Sequence, residues 1–146
     1  MADVHDKKTR SYNMSRVKGK DTKPEMVVRR FLHAEGFRYR LHVKDLPGKP
    51  DLVFPKYKTV VFIHGCFWHG HEGCKYFVIP KTNTQWWQDK IEGNKQRDYK
   101  SYRKLRESGW KVIVLFECEL KKEQIDQRLS SLVDELKDSD YEQRDQ

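Results

Sequence analysis

Pro50-Asp51-Leu52-Val53-Phe54-Pro55-Lys56-Tyr57-Lys58-Thr59-Val60-Val61-Phe62-Ile63-His64 is the stretch on which the fold turns. Asp51 to Phe54 is a short strand, and Pro55 to Lys58 is a turn. Thr59 to His64 is too apolar to face water, so it reads as a central strand. Upstream, Phe37-Arg38-Tyr39-Arg40-Leu41-His42-Val43 alternates apolar and polar residues as a half-buried strand does, and Pro47-Gly48-Lys49-Pro50 turns the chain. Before it, Thr22-Lys23-Pro24-Glu25 has the pattern of a capping box that opens a helix. Val27, Val28, Phe31 and Leu32 give that helix its apolar stripe, and Gly36 ends it. Downstream, residues 65–85 lack any period. Trp87, Ile91, Tyr102 and Leu105 mark a long polar helix over about 86–108, stopped by Gly109. Trp110 to Phe116 is a second buried strand, and Ile125, Leu129, Leu132, Val133 and Leu136 trace an amphipathic helix. The order α-β-β-β-α-β-α predicts an α/β fold, a mixed β-sheet flanked by helices.

The chain has 146 residues, 36% of them charged and 36% hydrophobic, which suits one domain. Leu, Ile, Val and Phe make up 23%, enough for one compact core and too few for two. No apolar run approaches the length of a membrane span, and the first residues lack the apolar stretch of a signal peptide, so a cytoplasmic location is expected. The net charge of +8 is uneven. From Glu119 onward there are five basic and nine acidic residues, which leaves +12 on residues 1–118. A basic body points to a polyanion partner, nucleic acid before membrane. Residues 1–21 are a basic N-terminal arm with almost no apolar periodicity, residues 22–138 a single domain, and 139–146 a polar tail.

Two constellations carry chemistry. The first is His64-Gly65-Cys66-Phe67-Trp68-His69-Gly70-His71-Glu72-Gly73-Cys74, three histidines and two cysteines in eleven residues. Cys66, His71 and Cys74 are close enough to wrap one tetrahedral ion, and Cys118, just past a central strand, is the remaining thiol for a closed site. Thiolates with an imidazole favour Zn²⁺. Spacing alone leaves open which of His69 and His71 is the ligand. The second is Pro50-Asp51 at a strand tip, a good place for Mg²⁺, although Asp is ordinary in turns. Its weight comes from the element order, which is the core of the restriction-endonuclease-like, PD-(D/E)xK-type nucleases. The neighbouring strand carries Phe62-Ile63-His64 where that type has a second carboxylate and a lysine, so a nuclease here needs another base and another metal oxygen.

Leu46-Pro47-Gly48-Lys49-Pro50-Asp51 followed by Phe62-x-His64-Gly65-Cys66-Phe67-Trp68-His69 resembles the very-short-patch repair endonucleases. So do Thr9-Arg10-Ser11 with Asn13-Met14-Ser15, Thr22 with Pro24-Glu25, and Gly109-Trp110 leading to Glu117-Cys118. The likeness covers nearly all of residues 1–138, and the lysine is regularly absent in that family. It implies a Mg²⁺-dependent endonuclease that nicks 5′ of the thymine in a T·G mismatch left by deamination of 5-methylcytosine. Asp51 and the main-chain carbonyl of Ile63 would hold Mg²⁺, His69 would be the general base with His64 beside it, and Glu25 would orient metal-bound water. Cys66, His71, Cys74 and Cys118 would be the structural zinc ligands, which frees His69. Met14, Phe67, Trp68 and Trp87 would wedge into the duplex. One extra residue between the zinc His and the next Cys makes Trp86 a competitor of Trp87.

The physics suits these roles. Imidazole titrates near neutrality, and aromatic wedges exploit the weak stacking of a mismatched step. Each has a structural counterpart: Glu25 as a cap, Trp87 as core, Phe67 and Trp68 as a cover for the zinc loop. A monomer is expected, with a MutL-like repair partner and a cognate cytosine methyltransferase suggested by the family. The alternatives are a zinc-containing DNA-binding protein without catalysis and a restriction endonuclease that cuts undamaged duplex.

Overall fold

Thr59–His64 and Lys111–Phe116 are buried along most of their length, and they form the centre of the sheet as two parallel strands. The computed structural model describes residues 22–138; the arm, Met14 within it and the tail lie outside the described residues. The elements are α1 (Lys23–Ala34), β1 (Arg40–Leu41), β2 (Leu52–Phe54), β3 (Thr59–His64), α2 (Thr84–Glu107), β4 (Lys111–Phe116) and α3 (Ile125–Lys137). One-turn 3-10 helices at Pro55–Tyr57 and Glu117–Leu120 follow β2 and β4. The sheet order is β1-β2-β3-β4, with antiparallel pairing up to β3 and parallel pairing between β3 and β4. A parallel pair needs a long crossover, and α2 supplies it. The expected order of elements is the observed one.

Alternation along the strands sorts their side chains onto two faces. Leu52, Phe54, Val61, Ile113 and Leu115 pack with Val28 and Leu32 of α1 and Leu129, Leu132 and Leu136 of α3. Val53, Val60, Phe62 and Val112 pack with Tyr102 and Leu105 of α2. The single core expected from composition is therefore two clusters divided by one sheet, because the central strands have no solvated face.

The strand expected over residues 37–43 shrinks to Arg40–Leu41, whose side chains are exposed. Phe37 packs edge-on against Phe54, and the Tyr39 hydroxyl donates to the Arg29 carbonyl at 2.8 Å, so these aromatics serve α1 and β2. His42 then takes a left-handed conformation, φ 48°, which ends the strand. At the start of α1, the Thr22 hydroxyl accepts from the Glu25 amide at 3.4 Å, as a cap should, while the Glu25 carboxylate faces Arg29 and His42. Lys111, nearly buried, donates its ammonium to the carbonyls of Glu135, Leu136 and Asp138, tying β4 to the end of α3. None of the helices among the described residues is long and apolar enough to cross a membrane.

Residues 65–83 form the expected irregular segment, and Gly70 seats it on α2. Gly70 has φ +60°, and a Cβ there would lie 2.8 Å from Ile91 Cγ2 and 2.7 Å from Lys95 Cδ. Ile91 is 2% exposed and cannot move aside. Gly70→Ala is therefore expected to lower stability by about 1–3 kcal/mol, read as a lower urea midpoint at unchanged m-value. An unaltered midpoint would mean that the loop does not depend on this close approach.

Candidate active site

The sheet brings the tips of β2 and β3 together at one end. Asp51, just before β2, accepts a 2.7 Å hydrogen bond at Oδ2 from the Ile63 amide, and its own amide donates to Val61. Burial pushes the Asp51 carboxyl up to about 6, with the nearby Glu25 carboxylate adding to the rise and the Ile63 amide, His42 and His69 opposing it. Glu25 is 1% exposed, and its Oε2 lies 2.7 Å from His42 Nε2 and 3.2 Å from Arg29 Nη1. One ligand atom from each of Glu25, His42 and Asp51 falls within 4.8 Å of the others.

On the α2 side of β3, the His64 and His69 rings stack with centroids 3.6 Å apart and planes 13° from parallel. His64 Nε2 is 2.6 Å from the Tyr102 hydroxyl. Burial, and after it the neighbouring His69, push the His64 imidazole down to about 3, so it is neutral at physiological pH. Burial raises the Tyr102 phenol, so the His64–Tyr102 contact joins two neutral groups. His69 Nδ1 lies 2.7 Å from Asp98 Oδ2. An ionised carboxylate only accepts, so Nδ1 carries the hydrogen and the Nε2 lone pair is left to take a proton. His69 and Asp51 are close enough to influence each other electrostatically.

A cleft of about 480 Å³ opens here, lined by Ile63, His64, His69, Phe67, Trp68 and Glu117 among others. Asp51 is bonded to one of its walls, Ile63. At its mouth Trp68 is 42% exposed and packs on Phe67 and Trp87 at 5.2 Å and 5.8 Å between ring centroids. Trp87 is half-buried in this aromatic cluster and takes no part in the core. Trp86, stacked edge-on against it at 4.8 Å, is 57% exposed. The Trp68 carbonyl is held by the Asn94 side chain of α2 at 2.8 Å.

Behind the cleft, Cys66, His71, Cys74 and Cys118 each offer a ligand atom within 4.8 Å of the others. His71 Nδ1 is 3.4 Å from Cys118 Sγ, its ring stacks flat on Phe116 at 3.9 Å, and the Tyr76 amide donates to Cys74 Sγ. Burial pushes the Cys66 thiol up to about 12, and the adjoining thiols of Cys118 and Cys74 add to it. Three sulfurs and one imidazole nitrogen at such separations fit a tetrahedral cation that would hold the thiols as thiolates. His71 falls in this group and His69 in the other, which separates the two imidazoles that spacing left open.

Three residues, His42, Asp98 and Tyr102, were not read from the sequence as members of the site. His42 is half of an alternating stretch whose polar positions look solvated. Asp98 and Tyr102 lie on α2, and with Ile91 and Leu105 they fall at i, i+7, i+11 and i+14, one face of the helix. A carboxylate on the buried stripe of a polar helix is the signal that could have found Asp98.

The sequence signature of the DNA mismatch endonuclease Vsr family matches residues 2–75. A type II nicking enzyme of Neisseria meningitidis serogroup A is 51% identical over 140 residues, covering 95% of this chain and 99% of that protein. A type II nicking enzyme of Xanthomonas oryzae pv. oryzae is 48% identical, over 82% of this chain and 88% of its own length. The DNA mismatch endonuclease Vsr of Escherichia coli K12 is 44% identical, over 83% and 77% respectively.

The Asp51 carboxyl has a testable energetic consequence. Its folded value of about 6 lies above its ordinary 3.8, so the native state binds the proton more tightly and stability declines as pH rises through that window. Asp51→Asn keeps an acceptor for the Ile63 amide and removes the charge. It is expected to stabilise the metal-free protein at pH 7.5 by up to about 3 kcal/mol, with the gain shrinking between pH 6 and 4. Urea unfolding of both proteins across that range checks it. A gain that does not vary with pH would show that desolvation of the charge is not its source.

Proposed function

Because the chain belongs to the DNA mismatch endonuclease Vsr family, we propose that it nicks one strand of duplex DNA 5′ of the thymine in a T·G mismatch, the product of 5-methylcytosine deamination. Membership answers the alternative of a DNA-binding protein without catalysis: the chain is an endonuclease. The observation that carries the finer reading is the 2.7 Å His69–Asp98 pair, whose imidazole lines a cleft shared with exposed Trp68 and with Ile63, the residue bonded to Asp51.

In this reading His69 Nε2 takes the proton from the attacking water. Asp98 holds the ring in the required tautomer and stabilises the imidazolium that forms, as the carboxylate of a hydrolytic triad does. His64, neutral and anchored by Tyr102, keeps the His69 ring in place by stacking. Asp51 and the carbonyl of Ile63 would hold Mg²⁺; a carboxylate raised by burial, and further by a second one beside it, is a donor set that a hard cation suits. Bound there, Mg²⁺ supplies positive charge to the phosphate under attack. Glu25, held on Oε2 by Arg29 and His42, orients water at that position. Phe67, Trp68 and Trp87 form the wedge, with Met14 of the arm, and deformation of the weakly stacked mismatch is the readout. Zn²⁺ on Cys66, His71, Cys74 and Cys118 is structural. Residues 22–138 are a single endonuclease domain. A monomer acting in the cytoplasm, a MutL-like partner and a cognate cytosine methyltransferase belong to the same proposal and rest on the family resemblance.

Two imidazoles in one loop are thus given different work. His69→Ala is expected to slow nicking of a labelled T·G duplex about 10²–10⁴-fold while retaining zinc, since general-base removal costs that much. His71→Ala and Cys118→Ala are expected to fall well below one zinc per chain by elemental analysis and to unfold at lower temperature. Zinc lost from the His69 variant, with a His71 variant that still nicks, would reverse the assignment. Equal nicking of matched and T·G duplex by the parent protein would refute mismatch specificity.

A further inference from the structure

We propose that His42 is a positioning residue for the nicking reaction: it sets the Glu25 carboxylate against Asp51 by gripping both at once. The inference rests on the reading of Glu25 and Asp51 given above.

Three observations carry it. The His42 side chain reaches Glu25, with Nε2 2.7 Å from Oε2, and its backbone amide donates to the Asp51 carbonyl at 3.2 Å. One residue thereby links α1 to the tip of β2. Its backbone is left-handed, φ 48°, a conformation uncommon for residues other than glycine and one that histidine, like asparagine, can adopt. Among the described residues, Lys49, Lys58 and Asn83 are the other non-glycine residues with positive φ, and His42 alone of these four makes a side-chain hydrogen bond to a carboxylate of the candidate site. The turn has a visible result: alternation along β1 would carry residue 42 away from α1, and the left-handed step swings the imidazole back onto it.

The electrostatics give the contact a purpose. Glu25 is 1% exposed and stands beside Asp51, so two carboxylates share a desolvated corner. Polar partners on Glu25 offset the cost of burying its carboxylate there. Arg29 and His42 converge on the same oxygen, Oε2, but they approach from different elements. Arg29 is four residues along the same helix and moves with Glu25. His42 comes from the end of β1, so among the described residues it is a contact that registers the helix carboxylate against the strand tip.

The test uses the full chain with H42G and H42N, both suited to a left-handed position, together with E25Q and the E25Q/H42G double variant. Glycine relieves the backbone and deletes the imidazole, whereas asparagine keeps a side-chain donor. H42G is expected to fold and to lower kcat for T·G nicking about 10- to 100-fold, the usual effect of removing a group that orients a metal-site residue, with KM for the duplex within about twofold. H42N is expected to recover part of kcat. The double variant is expected to be no slower than E25Q, because the two residues act through one carboxylate. If H42G keeps wild-type kcat while E25Q is impaired, the inference about His42 falls and the reading of Glu25 stands. If E25Q nicks at the wild-type rate, the reading of Glu25 falls and this inference with it. A loss in H42G confined to KM, or additive losses in the double variant, would also overturn it. Should H42G fail to fold, H42D decides, since aspartate also suits positive φ and offers Glu25 no donor: kcat reduced at unchanged KM supports the role, and wild-type kcat refutes it.

Discussion

The double burial of β3 is the constraint on which the rest depends. Val60, Val61 and Phe62 have no solvated face, so helices must cover both sides of the sheet: α1 and α3 on one, α2 on the other. Polar chemistry can then sit only where the strand ends. Ile63 and His64 occupy that end, and four groups of the candidate site approach it from elements packed on β3. Asp51 comes from the antiparallel neighbour β2, Glu25 from α1, and Asp98 and Tyr102 from α2.

Desolvation does different work on each group there. It raises Asp51 toward neutrality and lowers His64 out of the physiological range, so one becomes a reluctant anion and the other a permanently neutral ring. His69, more exposed and hydrogen-bonded to a carboxylate, keeps a nitrogen available to a proton. Two stacked histidines five residues apart thereby become chemically distinct without any difference in residue type. Two carboxylates desolvated side by side in this way are a local cost to stability.

Residues 65–83 have no periodic structure to hold them, yet they carry His69 and the aromatics. Their fastening is concentrated at a few points. The Cys66, His71, Cys74 and Cys118 group ties the loop to the end of β4, Gly70 lets it lie against Ile91, and Asn94 holds the Trp68 carbonyl. With the backbone so pinned, large aromatic side chains can stay exposed on a short loop. An exposed apolar cluster beside a polar cleft is the kind of surface that marks an interaction site.

Runs and periods in the sequence determined the element order, the mixed sheet and the amphipathic faces, because burial on a strand or helix is written in residues two to four apart. The four metal-ligand candidates were legible for the same reason, three of them being local. What only tertiary structure decided is which side chains meet across elements. Phe37 and Tyr39 were drawn off to α1 and β2, which cut a seven-residue alternation to a two-residue strand. Asp98 reached His69 across 29 residues, and His42 reached Glu25 across 17, neither with any local pattern to announce it. Trp87 shared the apolar spacing of α2 but lies beyond the sheet that would have buried it, so it joined the exposed aromatic cluster at the mouth of the cleft. Periodicity reports which face of an element is apolar; which polar group waits opposite depends on how the elements pack, and that is a property of the whole chain.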